Sequence, residues 1–209
     1  MSLLAWLFGM VQPVDSGQTV RDWIVGQTDA ALEITEAGGF PTPQGQVAML
    51  DTLIPTPEPQ WIDVPDTGGQ IVVFHDTGQG RNSILALVFS EATVAGGAAV
   101  GVVPIGTGLA SVFTPDTYAS INLFFDSFGE NGDPYYDFFS LHDDPQGGER
   151  KIVPLPDGTP VPYIHSGRGD GSYPVYTLQD VAGEVIAVYT DFMGINDTGD
   201  WLRPPGVRN

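Results

Sequence analysis

Short runs of β-branched and aromatic residues recur along this chain, and glycine or proline closes off almost every one. No other pattern constrains the fold as strongly. "SILALVFSE" (83–91) and "EVIAVYTDF" (184–192) carry the residue types that fit a pleated, packed surface. "YPVYTL" (173–178) alternates, with Tyr173, Val175 and Thr177 on one side and Tyr176 and Leu178 on the other. Between the last two runs, "QDVAGE" (179–184) is short enough for a hairpin loop. Strands are expected at 46–54, 70–76, 83–91, 98–105, 109–113, 150–154, 161–165, 172–178 and 184–192. Glycine (27) and proline (18) exceed a fifth of the 209 residues and are spread out, which marks turns rather than disorder.

Two helices are expected among these strands. Thr28, followed by Asp29, reads as the cap of a helix over Thr28–Ala37 that Gly38 and Gly39 stop. Thr114 caps the second and Pro115 takes its first helical position. Tyr118, Ile121, Phe124, Phe125 and Phe128 share one face ahead of Gly129. Alternating βα units are missing, which argues against a doubly wound sheet. The expected fold is mainly β (a β-rich α+β class): an antiparallel sandwich or strongly bent sheet with about two short helices. The chain reads as a single domain over 1–209. Residues 1–44 form an appendage with a short helix, 45–192 the core and 193–209 a loop pinned by Trp201. Residues 126–149 read as an acidic loop.

Charge narrows the partners. There are 26 acids against 7 bases, a net charge of −19, and Lys151 is the only lysine. Such a surface repels nucleic acid, whose affinity comes largely from basic contacts to phosphate, and it repels anionic membranes. It suits a cationic protein partner, a cation or a saline milieu, and solubility alone is the simpler reading of the charge. No apolar run reaches the ~20 residues of a membrane span. The apolar opening "MSLLAWLFGMVQP" has neither a basic start nor a small-residue cleavage site, and it reads as a packed or frayed terminus, with a signal peptide as the lesser alternative. A cytoplasmic location is expected. With no cysteine, thiol chemistry and cysteine-ligated zinc are excluded.

The candidate ligand loop is "HSGRGDGSYPVYTL" (165–178). Its residues of interest are His165, Ser166, Arg168 and Asp170, with Asp191 expected at the same end of the final hairpin. Glycines let successive N–H groups converge, so an anion nest beside Arg168 is one reading. A glycine turn whose Asp170 bonds its own backbone is the simpler one. The loop alone has too few oxygens for calcium, and its Arg-Gly-Asp tripeptide is too short to carry meaning. "PIGTGLAS" (104–111) resembles half of a phosphate loop, but it lacks the third glycine and a helix opened by it. A bulge or tight bend accounts for it better.

His75, His142 and His165 stand beside or near acids, and His75, His165 and Asp170 are the candidate metal ligands. No HxH or HExxH spacing supports them. Asp126, Glu130, Asp133, Asp137, Asp143 and Asp144 have no base among them and read as a solvated face. There is no GxSxG elbow. No resident cofactor is expected; a divalent cation is what a catalytic alternative would need.

Four segments together resemble a bacterial family, the domain-of-unknown-function family 4241. They are "GQVAMLDTLI" (45–54), "VPDTGGQIVVF" (64–74), "ILALVFSEA" with "VPIGTGLASVFTPDT" (84–117), and "SGRGDGSYPVYTLQDVAGEVIAVYTDF" (166–192). The last is the specific one. Thr52 stands where the family pattern leads one to expect proline. The resemblance implies a compact β-rich fold and a bacterial origin, and it implies no reaction. The expected function is a non-catalytic binding or interaction module. The alternative is a metal-assisted hydrolase built on His165, Asp170 and Asp191. Side chains converging on a cleft, with His75 among them, would favour the enzyme. Side chains that cap turns and point apart would favour the module.

Overall fold

A computed structural model describes residues 15–129, 132–140, 150–193 and 200–207. Eleven strands are described: β1 (Leu32–Phe40), β2 (Gln46–Asp51), β3 (Ile62–Asp63), β4 (Gly69–Asp76), β5 (Arg81–Val88), β6 (Gly96–Ile105), β7 (Leu109–Phe113), β8 (Arg150–Pro154), β9 (Pro160–His165), β10 (Gly171–Gln179) and β11 (Val185–Asp191). Helix α1 (Val20–Val25) precedes β1; α2 (Pro115–Asp126) and α3 (Pro134–Ser140) lie between β7 and β8.

The strands make two antiparallel sheets. One has six strands in the order β1-β4-β5-β11-β10-β6, the other five in the order β3-β2-β7-β9-β8. The sheets face each other, and their margins meet where β6 lies against β2 and β1 against β8. The β-rich, sandwich-like expectation therefore holds.

Three apolar layers explain the continuous runs in the sequence. Between the sheets pack Ile71, Val73, Leu85, Leu87, Val112, Val175 and Val188. The alternate residues Val72, Phe74, Ile84, Ala86 and Tyr189 point the other way, under α1 and Leu202. On the far side of the smaller sheet, Ala48, Leu50, Phe113 and Tyr163 lie under Ile121 and Phe124 of α2 and Phe138 and Phe139 of α3. A sheet buried on both faces needs apolar residues at successive positions, not only at alternate ones.

The Thr114 cap stands as expected: its hydroxyl accepts from the Thr117 N–H at 3.2 Å, with Pro115 opening α2. Ile121 and Phe124 are buried, while Phe128 lies beyond the helix and is exposed. The other expected helix is wrong. Residues Leu32–Phe40 form a strand that pairs with β4 from Leu32↔Asp76 to Phe40↔Gly69. The Thr28 hydroxyl does accept a near N–H, that of Ala30 at 3.0 Å, but the turn feeds a strand. Gly38, read as a stop signal, sits at a bulge inside β1 with φ +139°. Pairing along β4 outweighs the local helical preference. The first described helix lies earlier, capped by Thr19. Helix α3 occupies part of the stretch read as a loop. The opening segment 1–14, and Glu130, His142, Asp143 and Asp144, lie outside the described residues.

Candidate functional site

The glycine turn joins β9 to β10, and its own backbone and Ser166 hold it shut. The Ser166 N–H donates to Gly108 O at 2.9 Å, which extends the β7–β9 ladder by one residue. The buried Ser166 hydroxyl donates to Gly169 O at 2.6 Å, and the Gly169 N–H returns to Ser166 O at 2.8 Å. The Tyr173 hydroxyl adds a second bond to Gly169 O at 2.9 Å. Burial pushes the Tyr173 phenol above its ordinary range, against the lowering effect of Ser166. Asp170, expected to fix this turn, is exposed at its rim; Ser166 has that role.

The turn is pressed onto the start of β5. A Cβ on Gly167 would lie 2.1 Å from Asn82 O and 2.7 Å from Met193 Sδ. The Asn82 side chain reaches both histidines of interest. Its Nδ2 donates to His165 O at 3.0 Å, and its Oδ1 lies 3.2 Å from His75 Nδ1. Asn82 thus ties His75 to the backbone of the turn. Nothing in the spacing of the sequence pointed to Asn82, because its partners are 7 and 83 residues away.

The buried carboxylates at this end bind backbone. Asp191, wholly buried, accepts from the Met193 N–H at 2.9 Å and the Leu202 N–H at 2.8 Å, which ties the C-terminal segment to β11. Asp76 accepts from the Gly78 and Gln79 N–H groups at 2.8 and 3.1 Å. Asp51 has the largest set. One oxygen accepts from the N–H groups of Leu53 and Ile54 and the Thr107 hydroxyl, at 2.9, 3.0 and 2.7 Å. The other accepts from the Gly106 and Thr107 N–H groups at 2.8 and 2.9 Å. "PIGTG" is therefore an anion-binding turn whose anion is the chain's own carboxylate, which leaves no room there for a phosphate. Beside it, Thr52 donates its N–H to Leu109 O at 3.1 Å, a bond that a proline at this position could not make.

The described candidates are thus neighbours in the fold without forming one constellation. His165 is half-buried, Arg168 and Asp170 are exposed, Ser166 is spent on the turn and Asp191 on the C-terminal segment. Among the described residues, no group of three or more histidines, aspartates or glutamates is placed to hold a metal ion. No described helix is long and apolar enough to cross a membrane.

One groove lies away from this turn. It holds about 510 Å³ and is lined by Gly39, Phe40, Gly68, Gly69, Phe89 and Glu91, among others. Gly69 opens β4 and His75 nearly ends it, so the groove and the turn are about 20 Å apart along that strand. Glu91, the ionisable side chain of the groove wall, is paired with Arg21, which also holds Glu36 at 2.9 Å. Ser90, also in the groove wall, accepts the Ala92 N–H at 3.0 Å.

No curated protein and no solved structure matches the chain. Residues 90–190, which carry β6, β7, α2, α3, β8, β9, β10 and nearly all of β11, match the model of the family described as "Protein of unknown function (DUF4241)".

Proposed function

We propose that this chain is a non-catalytic binding module for a cationic protein. The observation that carries this reading is uncompensated acidity. With 26 acids and 7 bases the net charge is −19, so most of the acids stay without a basic partner. The buried carboxylates near the glycine turn support it from the other side. Asp51, Asp76 and Asp191 each accept backbone N–H groups, which is how acids behave when they cap turns. A general base or a metal ligand needs its lone pairs free for substrate or ion.

Two measurements on the full chain test the reading. In the first, a labelled nona-arginine peptide is titrated at about 0.05 M and about 0.5 M salt. Binding that weakens steeply with salt is expected, because exposed charges are screened within about a Debye length. Absent or salt-insensitive binding would sink the proposal. In the second, thermal unfolding is followed after chelation, with calcium, magnesium, manganese and zinc returned singly. Small, equal shifts are expected. A specific site at a hundredfold excess over Kd stabilises by about 2.7 kcal/mol, roughly 5–10 °C for a chain of this size. Such a shift for one ion, lost in His165→Ala or His75→Ala, would favour the metal-assisted hydrolase instead.

A further inference from the structure

We infer that the exposed aromatic surface made by Phe128, just beyond α2, and by Tyr135 and Tyr136 of α3 is the surface on which a lysine- and arginine-rich segment of the partner docks. This rests on the reading of the chain as a module for a cationic protein, and it adds the place. Exposed large apolar side chains concentrate in one stretch: Leu123 is 70% exposed, Phe128 40%, Tyr135 46% and Tyr136 71%. Other exposed ones, such as Ile54, Val102 and Val181, are scattered singly through the chain. Clustered apolar exposure marks interaction sites, while single residues do not.

Two of these rings are held in place from below. Phe128 packs on Phe124 with centroids 5.0 Å apart, and Phe124 belongs to the core. Tyr135 packs on Phe139 at 4.7 Å, and Phe139 packs in turn on buried Tyr163 at 5.7 Å. Anchors held rigid before binding lose little entropy on binding, and tyrosine is a favoured anchor residue.

Charge selects the occupant. No lysine or arginine occurs between Arg81 and Arg150. Asp126 and Asp133 on this face are exposed. A Cβ on Gly132 would fall 2.6 Å from Phe128 Cβ and 3.4 Å from Asp137 Oδ2, so the Phe128 side chain and a carboxylate that also accepts the Asp133 N–H at 2.8 Å approach the same glycine. A guanidinium can stack on such a ring while pairing with such a carboxylate. A purely apolar partner would strip water from the carboxylates with nothing in return. A second copy of this chain would bring two charges of −19 together.

The test uses the full chain, the nona-arginine peptide and the double variant Tyr135→Ala/Tyr136→Ala, with its folding checked by circular dichroism. The variant is expected to raise Kd about tenfold, while Val102→Ala/Val181→Ala leaves it unchanged. If the double variant fails to fold, Tyr136→Leu keeps apolar area without the ring and should still weaken binding several-fold. Salt-sensitive wild-type binding that these tyrosine variants leave intact overturns the surface and spares the cationic partner. No wild-type binding at any salt overturns both. A concentration-dependent dimer seen by sedimentation and lost in the variant gives the face to a second copy and overturns the proposal.

Discussion

Asp51 and Thr107 are joined twice: one carboxylate oxygen accepts the threonine hydroxyl at 2.7 Å, the other its backbone N–H at 2.9 Å. Asp51 ends β2 and Thr107 sits in the turn between β6 and β7, so the contact clamps the two sheets at one end. The carboxylate is buried and also serves three further N–H groups besides that of Thr107. Asp51→Asn turns an acceptor into an N–H2 group that faces backbone donors. Unmet buried donors and lost charged bonds together should cost about 3 kcal/mol, lowering Tm by about 6–12 °C. Calorimetry checks this; a Tm within a degree or two of wild type would show that the clamp is dispensable.

Ser166 and Asp170 stand four residues apart in the same turn with opposite expected effects. Ser166→Ala removes a buried hydroxyl bonded to Gly169 O and should cost about 1–2 kcal/mol. Asp170→Ala alters an exposed side chain and should stay within about 0.5 kcal/mol. Denaturant melts of both variants decide it. A larger loss for Asp170→Ala would return the turn to the aspartate.

Three glycines separate three physical demands. At Gly167 an added Cβ meets a backbone carbonyl at 2.1 Å, which no side-chain movement relieves, so Gly167→Ala should cost about 3 kcal/mol or more. At Gly169 the space is open but φ is +82°, and Gly169→Ala should cost about 1–2 kcal/mol. Gly106 has open space and no positive φ, so Gly106→Ala should change stability by less than about 0.5 kcal/mol. Equal effects at all three in urea unfolding would contradict the packing described.

Alkaline pH should unfold the protein through its buried phenols. Burial raises the Tyr189 pKa far above the ordinary phenol range, with Tyr176 and Asp191 adding in the same direction, and burial raises Tyr173 and Tyr176 as well. A folded pKa above the unfolded value means that the stabilisation is complete below about pH 10 and is lost as pH rises beyond it. Absorbance of ionised tyrosine should therefore appear in part before, and in part only with, the loss of circular dichroism. Tyr189→Phe also removes the 2.7 Å bond to Leu202 O and should cost about 1 kcal/mol at neutral pH. Complete ionisation of tyrosine in a still-folded protein would refute this.

Much of the fold was legible because its signals are local. The runs at 70–76, 98–105 and 109–113 became β4, β6 and β7, extended by only a residue or two where they changed at all. The candidate site was less legible. His165 ends β9, Ser166 lies in the glycine turn that follows and Asp191 ends β11, and the role of each depends on a partner that the sequence does not place beside it. Asn82, which links His75 to the turn, carries no motif. Asp51 looked like part of a family pattern and proved to be the anion in the "PIGTG" turn.

From the sequence alone came nine of the eleven described strands, the Thr114-Pro115 opening of α2 and the acidic excess, since each depends on side-chain shape, capping or charge within a few residues. Tertiary structure alone decided that Leu32–Phe40 is a strand, because pairing with β4 there outweighs a helical preference worth only tenths of a kcal/mol per residue. It also decided that Asp51 fills a turn 55 residues away and that Gly167 must lack a side chain. Those outcomes rest on groups brought within 3 Å by folding, and no local pattern records such a distance.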